Sequence, residues 1–180
     1  MKPFAALVSA MLLMVCLAMP CTALESTFFT VTEKTLSVDL GPSFEIYRGE
    51  FNASEDGIVN QDFIINNTAA PGAAFVSIMG VYDDILSKVS PGVLSELFLI
   101  GGISTVEARG DMEIGNWTTV DIKGNNVTVH TLSTNNESIQ VLGGNYDMAV
   151  WNLDKSTYAV MVSLFDQNNT TQTIKTLAIS

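Results

Sequence analysis

The sequence is poor in the residue types that most often form catalytic and metal sites. Its 180 residues include 2 cysteines and 1 histidine. Both cysteines, Cys16 and Cys21, lie in an apolar N-terminal segment that we expect to be removed, so the mature chain would lack any disulfide, thiol nucleophile or thiolate ligand. His130 is the single imidazole, and we therefore expect no zinc site. The sequence has no Gly-x-Ser-x-Gly motif, phosphate-binding loop or dinucleotide fingerprint, so we expect no cofactor and assign no catalytic residue.

Positive charge is also scarce. Nineteen acidic residues stand against eight basic ones, giving a formal net charge of −11. Loss of Lys2 with the N-terminal segment would leave seven basic residues and a net charge of −12 (7 − 19). Nucleic acids and anionic lipid head groups require positive charge on the protein, so we expect neither as a partner. The acidic residues are scattered, which is typical of a solvated surface.

The first 23 residues have the pattern of a secretory signal peptide. Lys2 precedes an almost uncharged run at residues 4–19, and small residues follow up to Ala23. The run has sixteen residues, fewer than the roughly 20 of a spanning helix. Cleavage after Ala23 is therefore expected, with retention as a membrane anchor as the alternative. Acylation at Cys21 is a further alternative, although Pro20 stands where a lipoprotein signal has Gly or Ala.

This pattern predicts the organisation of the chain. Residues 1–23 form the signal peptide, residues 24–43 a tether or first strand, and residues 44–180 a single domain. The expected location is secreted or on the outer face of the cytoplasmic membrane. Contact with the membrane is expected only if the N-terminal segment is retained.

Asparagine is frequent in glycosylation sequons. Of the thirteen asparagines after residue 23, seven begin Asn-x-Ser/Thr. These candidate N-glycosylation sites are Asn52, Asn66, Asn116, Asn126, Asn136, Asn168 and Asn169. Their number exceeds the roughly two or three expected from composition and favours a glycoprotein surface, although polar turns also collect these residue types.

Short apolar runs separated by turn residues predict an α+β fold, an antiparallel β-sheet meander with helices packed on one face. Residues 75–82 are apolar at both even and odd positions, which favours the centre of the sheet. Asp83 and Asp84 precede a turn of helix, and Ser90 with Pro91 predicts a helix start. Gly101 and Gly102 are expected to end that helical segment. An all-β sandwich is the alternative fold.

Other segments favour turns and caps. The polar residues 49–61 are typical of a surface excursion, and Gly115 with Asn116 is expected to connect two strands. Residues 146–153 and 157–165 should pair across a short turn. Asn168 and Asn169 could cap a short C-terminal helix, and the threonine-rich composition leaves a terminal strand as the alternative.

Two kinds of side chain are candidates for function. Trp151 alternates with Ala149 and Leu153, so we expect it in the core, whereas Trp117 follows a predicted turn and is a candidate surface contact. Carboxylates are the remaining reactive groups: Asp111 and Glu113 share a strand face and would suit acid and base roles if their pKa values were split. Acidic pairs such as Asp83–Asp84, and Glu55–Asp56 with Asp62, lack calcium-loop spacing.

The layout of the chain resembles the PsbP-like family. The similarity lies in the strand Phe44-Glu45-Ile46-Tyr47, in a buried strand at residues 75–79 that leads to a helix, and in a closing strand pair before residues 174–177. The resemblance implies an antiparallel sheet flanked by helices and a non-enzymatic, extracytoplasmic accessory or binding module. It implies no particular functional residues.

Three functions are compatible with these patterns. The first is an exported, non-enzymatic binding or accessory domain that contacts an unknown protein or cell-surface component. The second is a glycosylated structural component of the cell surface. The third is a carboxylate-dependent hydrolase that uses Asp111 and Glu113.

Overall fold

The computed structural model describes residues 35–53, 57–83, 85–108, 112–134 and 145–180. These residues form a seven-stranded sheet, a two-stranded ribbon and two α-helices. In chain order the elements are β1 (Leu36–Ser37), β2 (Phe44–Ala53), β3 (Ile58–Asn67), β4 (Ala73–Val81), α1 (Pro91–Ala108), β5 (Met112–Ile122), β6 (Asn125–Thr134), β7 (Asn145–Asn152), β8 (Thr157–Ser163), α2 (Gln167–Thr176) and β9 (Ala178–Ile179). Neither helix has the combined length and apolarity of a membrane span.

The seven strands lie in the order β2-β3-β4-β8-β7-β6-β5, and each neighbouring pair is antiparallel. The predicted α+β class with an antiparallel sheet is thereby confirmed. β4 pairs with β8 and so joins the N-terminal hairpins to the C-terminal meander. Residues 75–82, predicted to be central, lie mostly in β4, next to the central strand β8.

Each face of the sheet has its own apolar core. On β8, Ala159 and Met161 pack on one face with Ile174 of α2, whereas Val162 packs on the other with Leu99 of α1. We call these faces the α2 side and the α1 side. The two helices cover opposite faces, which corrects the prediction that they share one. Since β8 is apolar at both even and odd positions, both of its faces require cover.

The ribbon of β1 and β9 completes the cover on the α2 side. The two strands are antiparallel, and Thr35 and Ser180 exchange backbone hydrogen bonds of 2.9 and 3.1 Å. Leu36 of β1 is buried with Leu177 in the same cluster as Ile174. Part of the predicted tether at residues 24–43 therefore belongs to the folded domain, and residues 24–34 lie outside the described residues.

The chain enters α1 through a capped turn, as predicted. The Asp83 carboxylate oxygen Oδ1 accepts hydrogen bonds from the amides of Ile85 and Leu86, both at 2.8 Å, and a 3₁₀ turn follows at Leu86–Lys88. The Ser90 carbonyl accepts the first bond of α1, from the Leu94 amide at 3.1 Å. Pro91 occupies the first helical position, where its missing N–H costs nothing.

The predicted end of α1 is wrong, because the helix continues through both glycines to Ala108. A Cβ placed on Gly102 would lie 2.1 Å from the Met148 methyl carbon Cε. Gly102 thus lets the helix lie close to β7, and its role is packing rather than termination.

Two segments predicted as turns are strands instead. Residues 49–53 and 58–61 extend β2 and β3, and Gly115 with Asn116 lies inside β5. Both β2 and β5 are edge strands with a register shift, between Arg48 and Phe51 and between Ile114 and Trp117. A bulge on a solvated edge strand accommodates polar and glycine residues that would not suit a central strand.

The C-terminal helix α2 begins two or three residues earlier than expected from Asn168 and Asn169. Asp166 is its N-cap, and its carboxylate accepts from the Asn169 amide and from Asn169 Nδ2, both at 2.8 Å. Inside the helix, the buried Thr170 hydroxyl lies 2.8 Å from that of Ser163 on β8. This pair satisfies two hydroxyls that are otherwise shielded from water.

The predicted pairing of residues 146–153 with 157–165 is confirmed by β7 and β8. In their turn, burial acts to raise the pKa of Asp154, but hydrogen bonds from the amides of Ser156 and Thr157, at 2.9 and 2.8 Å, lower the pKa below its usual value. At neutral pH the turn is therefore held by an ionised carboxylate.

Candidate functional site

Exposed large apolar side chains are concentrated on the α1 side. The described residues expose ten of them. Seven belong to α1 or to strand positions that face it: Tyr47, Ile64, Val93, Leu97, Ile100, Ile114 and Trp117. Ile85 lies in the turn before α1, while Ile46 and Phe51 lie on the other side of β2. An uneven distribution of this kind is typical of an interaction surface.

Cross-strand register assigns the β5 residues to the α1 side. Trp117 lies opposite His130, which lies opposite Met148, a member of the core beneath α1. Ile114 lies opposite Leu132 of the same core. Trp117 and Ile114 therefore flank α1 on the β5 edge of the sheet.

The β2 edge contributes the second flank. Tyr47 lies opposite Ile64, Ile64 lies opposite Phe75, and Phe75 lies opposite Val162 of the core beneath α1. Seven strands spaced about 4.8 Å apart span roughly 30 Å, whereas a helix with its side chains is about 10 Å wide. One helix therefore covers the middle strands and reaches β5, while Tyr47 and Trp117 on the two edge strands remain exposed.

The helix itself presents an apolar stripe to solvent. Val93, Leu97 and Ile100 recur at spacings of four and three, and Ser104 continues the same line. Leu97 is 54% exposed, whereas Leu94 on the inner surface is buried. Only two of the 18 residues of α1 are charged, Glu96 and Glu107. A helix that is apolar on all sides is normally buried on all sides, so the outer stripe requires an explanation.

Trp117, the predicted surface contact, is 64% exposed and follows the bulge of β5. Its cross-strand neighbour His130 has a buried Nδ1 without a hydrogen-bond partner in the part of the chain that the structure describes. The Trp117 indole thus lies at the sheet edge, directly across from the partly buried His130 side chain. Its exposure suits a contact role, which stays a prediction.

A second unpartnered polar atom lies beneath α1. Tyr158 is fully buried, its ring packs edge-on against Phe98 at a centroid distance of 5.5 Å, and its hydroxyl has no hydrogen-bond partner among the described residues. Burial raises the pKa of Tyr158, and the nearby charge of Asp154 raises it further. The Tyr158 phenol is therefore uncharged at neutral pH, and its ring packs in the core beneath α1.

The sequons differ in accessibility. Asn116, Asn126 and Asn168 are exposed, while Asn66 and Asn169 are half-buried. Asn169 is also occupied as a donor to Asp166. Asn136 and the side chain of Asn52 lie outside the described residues.

The acidic candidates are not brought together in the described part of the chain. Glu113 is exposed on β5 opposite Ser133, while Asp111 lies outside the described residues, so their pairing stays a prediction. Asp83 is engaged in capping, and Asp62 accepts from Asn60 and Ser77 at 3.1 and 2.8 Å. Asp84, Glu55 and Asp56 lie outside the described residues. Within the described ranges, no cluster of three or more His, Cys, Asp or Glu side chains has metal-binding geometry.

The sequence pattern indicated Trp117 as a surface residue but did not reveal the exposed apolar stripe of α1. The spacing of Val93, Leu97 and Ile100 is equally compatible with an inward face, so the pattern alone does not reveal exposure. The available signal was the scarcity of charge around the whole helix.

The chain matches no family model, no curated protein and no solved structure in comparisons with each. Its function is therefore inferred from its own residues.

Proposed function

We propose that this chain is an exported, non-enzymatic accessory or binding domain that docks through its α1 side. The observation that supports this is the collection of seven exposed large apolar side chains on one side of the sheet. Burial of apolar surface is favourable by about 25 cal/mol per Å². Such a patch, rimmed by the polar surface of an acidic protein, has the composition of a docking site.

Export is supported by the signal-peptide pattern of residues 1–23. The PsbP-like layout agrees with an extracytoplasmic accessory role, and it stays a resemblance. The partner in this proposal is a protein or cell-surface component that offers an apolar surface, since the net charge of −11 disfavours nucleic acid.

Photo-crosslinking in the exporting cell tests this proposal. A photoreactive amino acid replaces Leu97 in the outer stripe of α1, and in a control chain it replaces Gln172, which is exposed on α2. If the α1 side docks, irradiation gives a discrete adduct from position 97 and none from position 172. Gel mobility and mass spectrometry detect and identify the adduct.

Equal labelling at both positions, or none at position 97, would contradict docking through the α1 side. Turnover of a small molecule that stops when one carboxylate is neutralised would favour the hydrolase instead. That alternative stays a prediction until the separation of Asp111 and Glu113 is measured.

The exposure of several sequons favours a second candidate, a glycosylated structural component of the cell surface. We expect glycan on Asn116 and Asn126, which are exposed, and none on Asn169, whose Nδ2 donates to Asp166 at 2.8 Å. Peptide mapping by mass spectrometry before and after deglycosylation measures the occupancy of each site. A chain without glycan would remove the support for this candidate.

A further inference from the structure

The first and last segments of the described chain hold each other on the α2 side. Thr35 and Ser180 exchange backbone hydrogen bonds, and the Asp39 amide donates at 3.0 Å to the hydroxyl oxygen of Thr176, the last residue of α2. Within the described residues, β1 and β9 form a sheet of their own, separate from the seven strands. Each segment is therefore fixed largely through the other.

α2 is a poor helix by itself. Six of its ten residues are asparagine or threonine, which are among the less favourable residues within a helix. An isolated helix of this length is marginal in water. Its buried residues are Thr170, Thr173 and Ile174, so only one of its aliphatic side chains is buried. The stability of α2 therefore depends on the contacts that its C-terminal end makes with β1.

Apolar side chains from both segments close over one part of the α2-side core. Each segment contributes three, Leu36, Val38 and Leu40 from the first and Ile174, Leu177 and Ile179 from the last. The ring of Phe44, the first residue of β2, packs edge-on against Phe165, just before α2, at a centroid distance of 5.4 Å. Both segments thus leave the large sheet at the same place. We call residues 35–40 and 166–180 together the strap.

Buried hydroxyl groups lie between the strap and the sheet. Ser163 of β8 and Thr170 of α2 are buried with their hydroxyl oxygens 2.8 Å apart, and the buried Thr173 hydroxyl donates to the Asn169 carbonyl at 2.8 Å. These groups gain hydrogen bonds to water when the strap lifts, which offsets part of the cost of exposing its apolar side chains. Local opening requires least free energy where few apolar contacts are lost.

The seven-stranded sheet does not require the strap for its hydrogen bonds. β8 pairs with β4 on one side and with β7 on the other, and α1 packs on its opposite face. Opening of the strap therefore leaves this ladder in place. It uncovers core residues such as Val76 and Met161, which are fully buried in the closed state.

We propose that the strap opens as one cooperative unit while the seven-stranded sheet stays folded, so that the position of β1 controls exposure of the α2-side core. Thr35 continues directly into the N-terminal segment of the chain. A load on that segment acts first on β1 and is passed to α2 through the ribbon. This device is independent of the α1 side, which lies on the opposite face.

Hydrogen exchange followed by mass spectrometry tests the device on the protein that an exporting host releases. We expect residues 35–39 and α2 to share one equilibrium constant of opening, at least about 100-fold larger than that of β4, β7 and β8. Leu36→Ala should raise the opening constant of α2 at least about 10-fold, although position 36 lies far from α2 in the sequence. The matched variant Ile58→Ala, at a similarly buried position in the α1-side core, should leave it unchanged.

A milder variant keeps the test valid if Leu36→Ala fails to fold. Thr176→Val preserves the shape of the side chain and removes the acceptor of the Asp39 amide. It should raise the opening constant of both halves of the strap about 3–10-fold.

A cross-strand disulfide supplies the converse test. Ser37 and Ala178 are exposed and directly opposite each other in the ribbon, and opposed residues of antiparallel strands lie about 4.5–5.5 Å apart between Cα atoms, within disulfide range. In Ser37→Cys/Ala178→Cys, oxidation should lower the opening constant of α2 at least about 10-fold, and reduction should restore it. The expected mature chain has no other cysteine.

Exchange of α2 as slow as that of β8 would overturn the strap, as would an effect of Leu36→Ala or Thr176→Val that stays within one of its halves. An oxidised disulfide that leaves the exchange of α2 unchanged would also overturn it. None of these results affects docking through the α1 side, which crosslinking at position 97 tests separately.

Discussion

Replacement of Trp151 by alanine is expected to lower the free energy of unfolding by about 3–5 kcal/mol, because it removes the largest side chain of the α2-side core and leaves a cavity. Trp151 is 4% exposed and packs with Val129, Ala159 and Ile174. These neighbours come from two strands and a helix, so collapse around the cavity would have to move several elements at once. Urea unfolding at micromolar concentration measures the change.

The second tryptophan is the matched control. Trp117→Ala removes the same type of side chain from an edge strand, where it is 64% exposed. We expect the free energy of unfolding to change by no more than about 0.5 kcal/mol, as at most surface positions. Similar losses for both variants would mean that Trp117 is part of the core and not a surface residue.

Alanine substitutions at the adjacent residues Gly101 and Gly102 are expected to change the free energy of unfolding in opposite directions. Gly102→Ala should destabilise the protein by about 1–2 kcal/mol, because displacing the buried terminal methyl group of Met148 costs more than the gain in helix propensity. Its Cβ would lie 2.1 Å from the Met148 Cε atom, and Met148 is only 1% exposed. Gly101→Ala meets no atom within 4 Å and should stabilise the helix by up to about 1 kcal/mol.

A double-mutant cycle tests the cause at Gly102. If the overlap with Met148 is responsible, the double variant Gly102→Ala/Met148→Ala should lose less free energy of unfolding than the two single variants lose together. The expected difference is about 0.5–3 kcal/mol. Additive losses would show that the helix lies farther from β7 than the structure places it. Thermal or urea unfolding of the four proteins supplies the cycle.

Local signals in the sequence predicted the local features of the fold. Asp83 caps the turn before α1, because its carboxylate accepts hydrogen bonds from amides that would otherwise be unpaired. Pro91 begins the helix, because the first helical position needs no N–H donor. The pairing of β7 with β8 followed from the short turn between them, and the burial of Trp151 followed from alternation with period two. Each of these signals depends on residues close together in the chain.

The features that were missed depend on distant residues. Gly101 and Gly102 have the composition of a helix end, but contact between Gly102 and Met148 from β7 gives the second glycine a packing role inside the helix. The polar segments around Gly49 and Gly115 became bulged strands because they pair with β3 and β6 at the edges of the sheet. No local pattern shows which strand will lie at an edge.

The sequence by itself determined the α+β class, the start of α1 and the pairing of the final hairpin, since propensity, capping and turn signals act over a few residues. Tertiary structure decided which apolar residues are covered. Val93 and Leu94 are neighbours on the same helix, yet one is exposed and the other buried, because Leu94 faces the sheet and packs on Met79 and Tyr158, whereas Val93 points away from it. Burial depends on what the rest of the chain brings to each side, and that is the reason why the candidate docking surface emerged only from the assembled fold.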